Sequence, residues 1–405
     1  MIGLRLALAG LIATTAAAGG GVGSAPPDPV QVVRVSQSGG FTEEARAAIA
    51  EAAWITGSES TVLHRVTIRL LAVNRGLTAV QTAPAGFGYP MLTTAADPAA
   101  TAHQLEVRRT LVEGEMVMGE LAAELRGARV GDVATLEGLN GELIEVTIGA
   151  IVPDRDLGWS EIWIDTHLAA ELGVDRPQAI LLWGESPART ASLVRHLGGD
   201  PSIRVSYGSG GAPPLDPVLP VAAVKERFGE FAIRPGSGDS VQVDPEWRDR
   251  WIVNVDFPLV GPTRCHRLAV PYVRGALAEV EAAGLADLLS RDDFQLAGGC
   301  WVPRFNRGGD PGFSLSRHAW GAAIDFNPSN NQYGAEPTMP AAIVDIFRRW
   351  GFSWGGTWTV PDGMHFEWVR YPDRYSVVCS TLTVVPEDGS VEAGWAVAPR
   401  ESGCP

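Results

Sequence analysis

The chain has 405 residues, which at roughly 150 residues per domain calls for two or three folded units. Hydrophobic residues make up 45% and charged residues 20%, a balance that excludes a largely disordered chain. Lys and Arg number 32 against 47 Asp and Glu, and the net charge of -15 excludes nonspecific nucleic-acid and anionic-membrane binders, both of which need positive potential.

The chain opens MIGLRLALAGLIATTAAAGGGVGSAPP, with Arg5 ahead of an apolar run from Leu6 to Ala13 and small residues after it. That run is far shorter than the ~20 residues of a spanning helix, so it reads as a signal peptide over residues 1–25 and predicts a secreted or extracytoplasmic protein. From Pro29, β-like and helical stretches alternate: Val30 to Val35, the Ala-rich Glu43 to Trp54, then Arg65 to Val73. This alternation predicts an α+β accessory domain over 29–207. Met116 to Leu125 has helical period, Arg129 to Asp132 reads as a turn, and Ala134 to Leu136, Leu143 to Val152, Ile162 to Ile164 and Ala179 to Leu182 read as strands. The phrase from Met116 to Asp154 resembles the extracytoplasmic portion of permease-like domains of bacterial export and cell-division complexes. That resemblance implies a structural or partner-binding role, with a cell-envelope protein as the expected partner. His64, His103 and His167 stand isolated, without ligand spacing.

Residues 208–220, GSGGAPPLDPVLP, read as an exposed linker, and the second unit is expected over 221–405. Within it, Val224 to Phe228 predicts a short helix, Phe231 to Arg234 a strand, and Cys265 to Gly284 a long helix ending in glycine. Ala341 to Trp350 predicts a helix stopped by Gly351, with FSWGGTW as loop beyond it. Cys265, Cys300, Cys379 and Cys404 allow two disulfides in three connectivities; nearest-neighbour pairing would join Cys265 to Cys300 and Cys379 to Cys404.

Ionisable residues concentrate among glycines and aromatics between Gly298 and Trp368. Asp325 lies seven residues after His318, and His365 returns from an apparent strand. Two imidazoles and one carboxylate suit Zn2+, whose catalytic sites commonly use three protein ligands and leave one position open. The same donor set also forms the facial triad of non-haem iron, but the close His-x-carboxylate spacing of that motif is absent.

The pattern Ser316-x-His318-x-x-Gly321-x-Ala323-x-Asp325, followed by Asp362-x-x-His365, resembles the zinc peptidases that cut peptidoglycan stem peptides. These are the D-alanyl-D-alanine carboxypeptidase and L-alanyl-D-glutamate endopeptidase family, the VanY-like group. The likeness is clearest from Cys265 to Val378 and weaker back to Val224. It implies an α+β fold, a zinc peptidase domain with a small antiparallel sheet and flanking helices preceded by the separate α+β domain. It also implies His318, Asp325 and His365 as zinc ligands, Asp362 as general base and acid, and Arg304 in preference to Arg307 as the cation facing developing charge. Many family members have glutamate where this sequence has Asp362, which leans toward an endopeptidase without deciding it. Ser316, Arg307, Trp320 and Glu367 are candidate substrate contacts; Trp354, Trp358 and Trp368 are further candidates to wall a cleft. Glu367, two residues beyond His365 on a strand, would share its face, as outer support or as a competing base. His266 reads as structural. The reading from another class is a non-catalytic, metal-containing module that binds cell wall or protein.

Overall fold

The computed structural model describes residues 32–37, 41, 43–56, 59–101, 104–158, 160–174, 179–183, 203–208, 216, 218–306, 314–358 and 361–370. The leader, Arg307, Cys379, Cys404 and His103 lie outside them, as does most of the 208–220 linker. Among the described residues, no helix is long and apolar enough to cross a membrane.

The first unit is built on one ten-stranded sheet. Its strands are β1 (Val32–Gln37), β2 (Glu59–Arg75), β3 (Thr78–Thr82), β4 (Tyr89–Ala96), β5 (Met116–Gly119), β6 (Val133–Glu137), β7 (Leu143–Val152), β8 (Ile162–Asp165), β9 (Ala179–Trp183) and β10 (Ile203–Gly208). Neighbours run β10-β1-β9-β2-β4-β8-β5-β7-β6, and β6 also pairs with β2, which closes six strands into a barrel. The barrel interior is filled by Val66, Ile68, Leu70, Met91, Met118, Leu136, Ile148 and Ile164, one face of alternating strands. In β2 the buried positions change phase, from Val66, Ile68 and Leu70 to Val73. The register against β6 slips between Leu70 and Ala72, and this bulge bends the long strand so that its two ends serve different neighbours.

Among the described residues this unit holds four helices: α1 (Glu43–Thr56), α2 (Leu105–Val112), α3 (Glu120–Arg126) and α4 (Thr166–Glu171). The helical period over Met116 to Leu125 is therefore half right, since Met116–Gly119 is a strand and the helix starts at Glu120. All four strand residues are buried, and a short run covered on both faces carries no period to separate strand from helix.

The second unit holds α5 (Val221–Phe228), α6 (Pro245–Trp251), α7 (Val270–Ala282), α8 (Arg291–Ala297) and α9 (Ala341–Arg349) around its own core. Its strands form a hairpin of β11 (Ile233–Pro235) and β12 (Val241–Val243), a second hairpin of β13 (Ile252–Phe257) and β14 (Gly261–His266), and a small antiparallel sheet. In that sheet β15 (Ala323–Asp325) and β16 (Phe352–Trp354) flank β17 (His365–Trp368). The long helix begins at Val270 rather than Cys265, because Cys265 and His266 end β14, and the FSW of the expected loop is an edge strand. Cys265 and Cys300 are bonded as a disulfide.

The two units meet over a buried ionic cluster. Lys225 of α5 holds Glu161 at 2.8 Å and Glu230 at 3.0 Å, while Arg126 of α3 pairs with Glu230 and lies 3.6 Å from Glu161. Burial alone would raise the Glu230 carboxyl, but the charges of Arg126 and Lys225 outweigh it and hold it below its ordinary value. Glu161→Ala is expected to cost about 3–5 kcal/mol in urea unfolding, because it strands Lys225 without its closest carboxylate. A loss under about 1 kcal/mol would show that the cluster does not bind the units together.

Candidate metal centre

The site is assembled from the end of β14 outward. The disulfide ties Cys265 to Cys300, and the next two amides anchor that segment, Trp301 N donating to Arg264 O at 2.8 Å and Val302 N to His318 O at 3.0 Å. His318 sits in a 3-10 turn, Arg317–Trp320, whose N-cap Ser316 accepts from His318 N at 3.3 Å. The turn ends at Gly321 with φ of 64°, where an added Cβ would lie 2.6 Å from His266 N, so both backbone angle and space demand glycine. The chain then enters β15, where Asp325 is registered directly opposite His365 of β17. Two ligand candidates thus come from paired strands and the third from the turn just before.

Their atoms converge. His318 Nε2 lies 3.1 Å from Asp325 Oδ1 and 3.2 Å from His365 Nδ1, and His365 Nδ1 lies 3.1 Å from Asp325 Oδ1. The outer nitrogen of each ring settles its tautomer. His318 Nδ1 is 3.0 Å from the Cys300 carbonyl, which can only accept, so Nδ1 carries the proton and Nε2 the lone pair. His365 Nε2 faces Glu367 Oε2 at 3.3 Å, which leaves the Nδ1 lone pair pointing inward. With both rings neutral, two lone pairs and a carboxylate oxygen face one another, an arrangement that a cation completes; in the metal-free protein a proton on His365 Nδ1 takes that place. Tetrahedral zinc with bonds of about 2.0–2.1 Å requires ligand edges of about 3.3 Å, close to this triangle. A second observation fits the same group: Asp362 Oδ1 is buried and has no hydrogen-bond partner in the protein.

Electrostatics agree with a site built around positive charge. Burial pushes the Asp325 carboxyl up, but His318 and His365 outweigh it and hold it well below the carboxylate range. Burial lowers His365, yet its bonds to Asp325 and Glu367 dominate and push it up to about 10 in the metal-free protein. Asp362 is raised, first by burial and then by the charge of Asp325, against the lowering effect of His365, His318 and Arg304.

The remaining sequence candidates separate. Arg304 is half-buried, holds the Ser316 amide through its carbonyl at 3.0 Å, and its charge acts on Asp362. Ser316 is buried and serves the turn rather than a cleft. Trp320 is wholly buried, its Nε1 donating to Gly229 O at 3.2 Å, and Trp368 is also core, so neither walls a cleft. Trp354 and Trp358 are half-buried, and the Trp358 ring lies 5.3 Å from His365. Glu367 is buried behind His365, with Oε2 3.3 Å from His365 Nε2 and Oε1 3.9 Å from Arg317 Nε, the position of a support for that ligand candidate. His266 is buried in the core with Nε2 3.0 Å from Phe228 O, and burial pushes it down to about 3. The Cys300 carbonyl was not legible in the sequence, since any residue supplies one. An open groove of about 530 Å³ is lined by Asn254, Asp256, Thr263, Arg264, Gly299 and Trp301, and none of His318, Asp325, His365 or Asp362 lines it.

Glu367→Gln is expected to weaken metal binding about 10–100-fold by removing the charge that orients and polarises His365. Competition with a chromophoric chelator measures it, and unchanged affinity would show that Glu367 serves packing alone.

The fold and the site define a zinc-peptidase-like centre in the second unit. Residues 310–368, which include all three ligand candidates and Asp362, match the family described as D-alanyl-D-alanine carboxypeptidase. No curated protein matches the chain. The permease-like resemblance of the first unit finds no support in the comparisons.

Proposed function

We propose that this protein is a zinc-dependent peptidase that hydrolyses amide bonds in peptidoglycan stem peptides, as a D-Ala-D-Ala carboxypeptidase or an L-Ala-D-Glu endopeptidase. The observation that carries the reading is the triangle of His318, Asp325 and His365 atoms with the partnerless Asp362 Oδ1 beside it. The family match over 310–368 supports the substrate class. The Cys265–Cys300 disulfide supports an extracytoplasmic location at the bacterial cell wall, since such bonds persist in oxidising compartments. The second unit over 221–405 is then the peptidase domain, and the first, over 29–207, positions it or binds an envelope partner.

His318, Asp325 and His365 would hold the ion, which when bound polarises a scissile carbonyl and makes an attacking water acidic enough to act near neutral pH. Asp362 takes the proton from that water and returns it to the leaving amine; a raised carboxyl suits the second step. Arg304 supplies a fixed cation where the substrate develops or carries negative charge.

The test is mass spectrometry of purified muropeptides incubated with the zinc-loaded protein, beside Asp362→Ala and chelated controls. A defined cut lost in both controls supports the reading, and the product masses name the bond. No cut with intact, cross-linked or trimmed muropeptides would sink it and favour a metal-containing binding module.

A further inference from the structure

Asp216 belongs to the connector between the barrel and the peptidase-like unit, well outside the residues matched to the carboxypeptidase family. A carboxylate in a Gly/Pro-rich connector is ordinarily solvated, but this one is 1% exposed. Its Oδ1 accepts from Arg348 Nε at 2.9 Å and from the Trp354 amide at 3.1 Å. Its Oδ2 accepts from Arg348 Nη2 at 2.5 Å and from Thr357 Oγ1 at 2.7 Å. Arg348 lies on α9; Trp354 and Thr357 bracket the turn that follows β16.

That turn grips Asp362. The Gly355 carbonyl accepts from Asp362 N at 2.9 Å, and Trp354 Nε1 donates to Gly363 O at 2.9 Å. The contact is close enough that a Cβ on Gly355 would stand 3.0 Å from Asp362 Cβ and 2.7 Å from its carbonyl oxygen. Four bonds therefore run from one connector carboxylate into the turn and helix that hold the catalytic candidate. A buried ion pair is a poor device for stability alone, since packed apolar residues do as well; its merit is a defined geometry.

We infer that Asp216 is a positioning residue for Asp362: through the Trp354–Thr357 turn, the connector between the two units sets where that carboxylate stands beside the metal centre. The inference rests on the reading of Asp362 as proton carrier. It makes the connector part of the active machinery rather than a passive tether.

The test uses the full chain with Asp216→Asn, which keeps the shape but turns two of the four accepting contacts toward donors. On a purified muropeptide, kcat should fall about 10–100-fold, the scale of a displaced catalytic group. Zinc affinity by chelator competition should stay within about twofold, because the ligands hang on β15, β17 and the His318 turn. Amide hydrogen exchange should accelerate over residues 354–362 and not over 316–325. In an Asp362→Ala background, Asp216→Asn should lower kcat no further. Should Asp216→Asn fold poorly, Thr357→Val, which removes one bond and leaves the Arg348 pair, should give a smaller change of the same pattern. Unchanged exchange over 354–362, full kcat, or an equal loss in the Asp362→Ala background would each overturn the inference. An Asp362→Ala protein as active as the parent would instead overturn the reading of Asp362 itself.

Discussion

Asp362→Ala is expected to lower kcat for stem-peptide cleavage by about 10²–10⁴-fold, the usual contribution of a positioned general acid–base, while zinc remains bound. The separation of these effects follows from the geometry. The three converging ligand atoms belong to His318, Asp325 and His365, and Asp362 meets that group only through its charge and the bond from His365 N to its carbonyl at 3.1 Å. Its buried Oδ1 has no hydrogen-bond partner in the protein. Removing it also relieves a desolvated acid, so the variant should be no less stable than the parent in urea unfolding. Loss of zinc together with loss of rate would place Asp362 among the ligands and remove its role as proton carrier.

Metal binding should show the largest dependence on pH. In the metal-free protein His365 is pushed up to about 10 by Asp325 and Glu367, so at neutral pH it carries a proton on a nitrogen that a metal needs bare. Zinc uptake at pH 7 should therefore release about one proton, and apparent affinity should rise about tenfold per pH unit toward 10. Calorimetry in buffers of different ionisation enthalpy measures the count; zero protons released would show that His365 is already neutral. The same shift fixes the sign for the metal-free fold. The protonated His365 is stabilising below its ordinary value of 6.5, and that stabilisation is lost as pH rises through about 10. Metal and proton thus compete for one seat, and zinc should raise the unfolding temperature most at high pH. His318→Ala should reduce both affinity and activity more than Glu367→Gln, because it deletes a ligand atom rather than its support.

Two supports of the site meet at Cys300, and the covalent one is what favours the proposed cell-envelope setting. Its sulfur is cross-linked to Cys265 at the end of β14, and its carbonyl settles the tautomer of His318. A covalent tie in the outer support of a metal ligand holds the acceptor where the imidazole needs it, which suits a protein working in an oxidising compartment.

Residue types and spacing singled out His318, Asp325 and His365 as a donor set that suits zinc, and the resemblance to the carboxypeptidase family named them as ligands and added Asp362. Nearest-neighbour spacing likewise named Cys265 with Cys300, and alternation of apolar residues marked Leu143 to Val152 as the strand it is. Other features belong to the tertiary structure. The pairing of β2 with β6 that closes the barrel joins segments far apart in the chain and rests on a bulge with no residue signature. Trp320 looked like a cleft wall and is core, because an aromatic reads the same whichever side it faces. The Cys300 carbonyl belongs to the main chain, and Asp216 sits in a stretch whose composition spells exposure. Periodicity and donor chemistry are local properties that a sequence carries in its letters. Closure, burial and the partner of a backbone atom depend on which distant segments arrive together, and only the folded chain decides that.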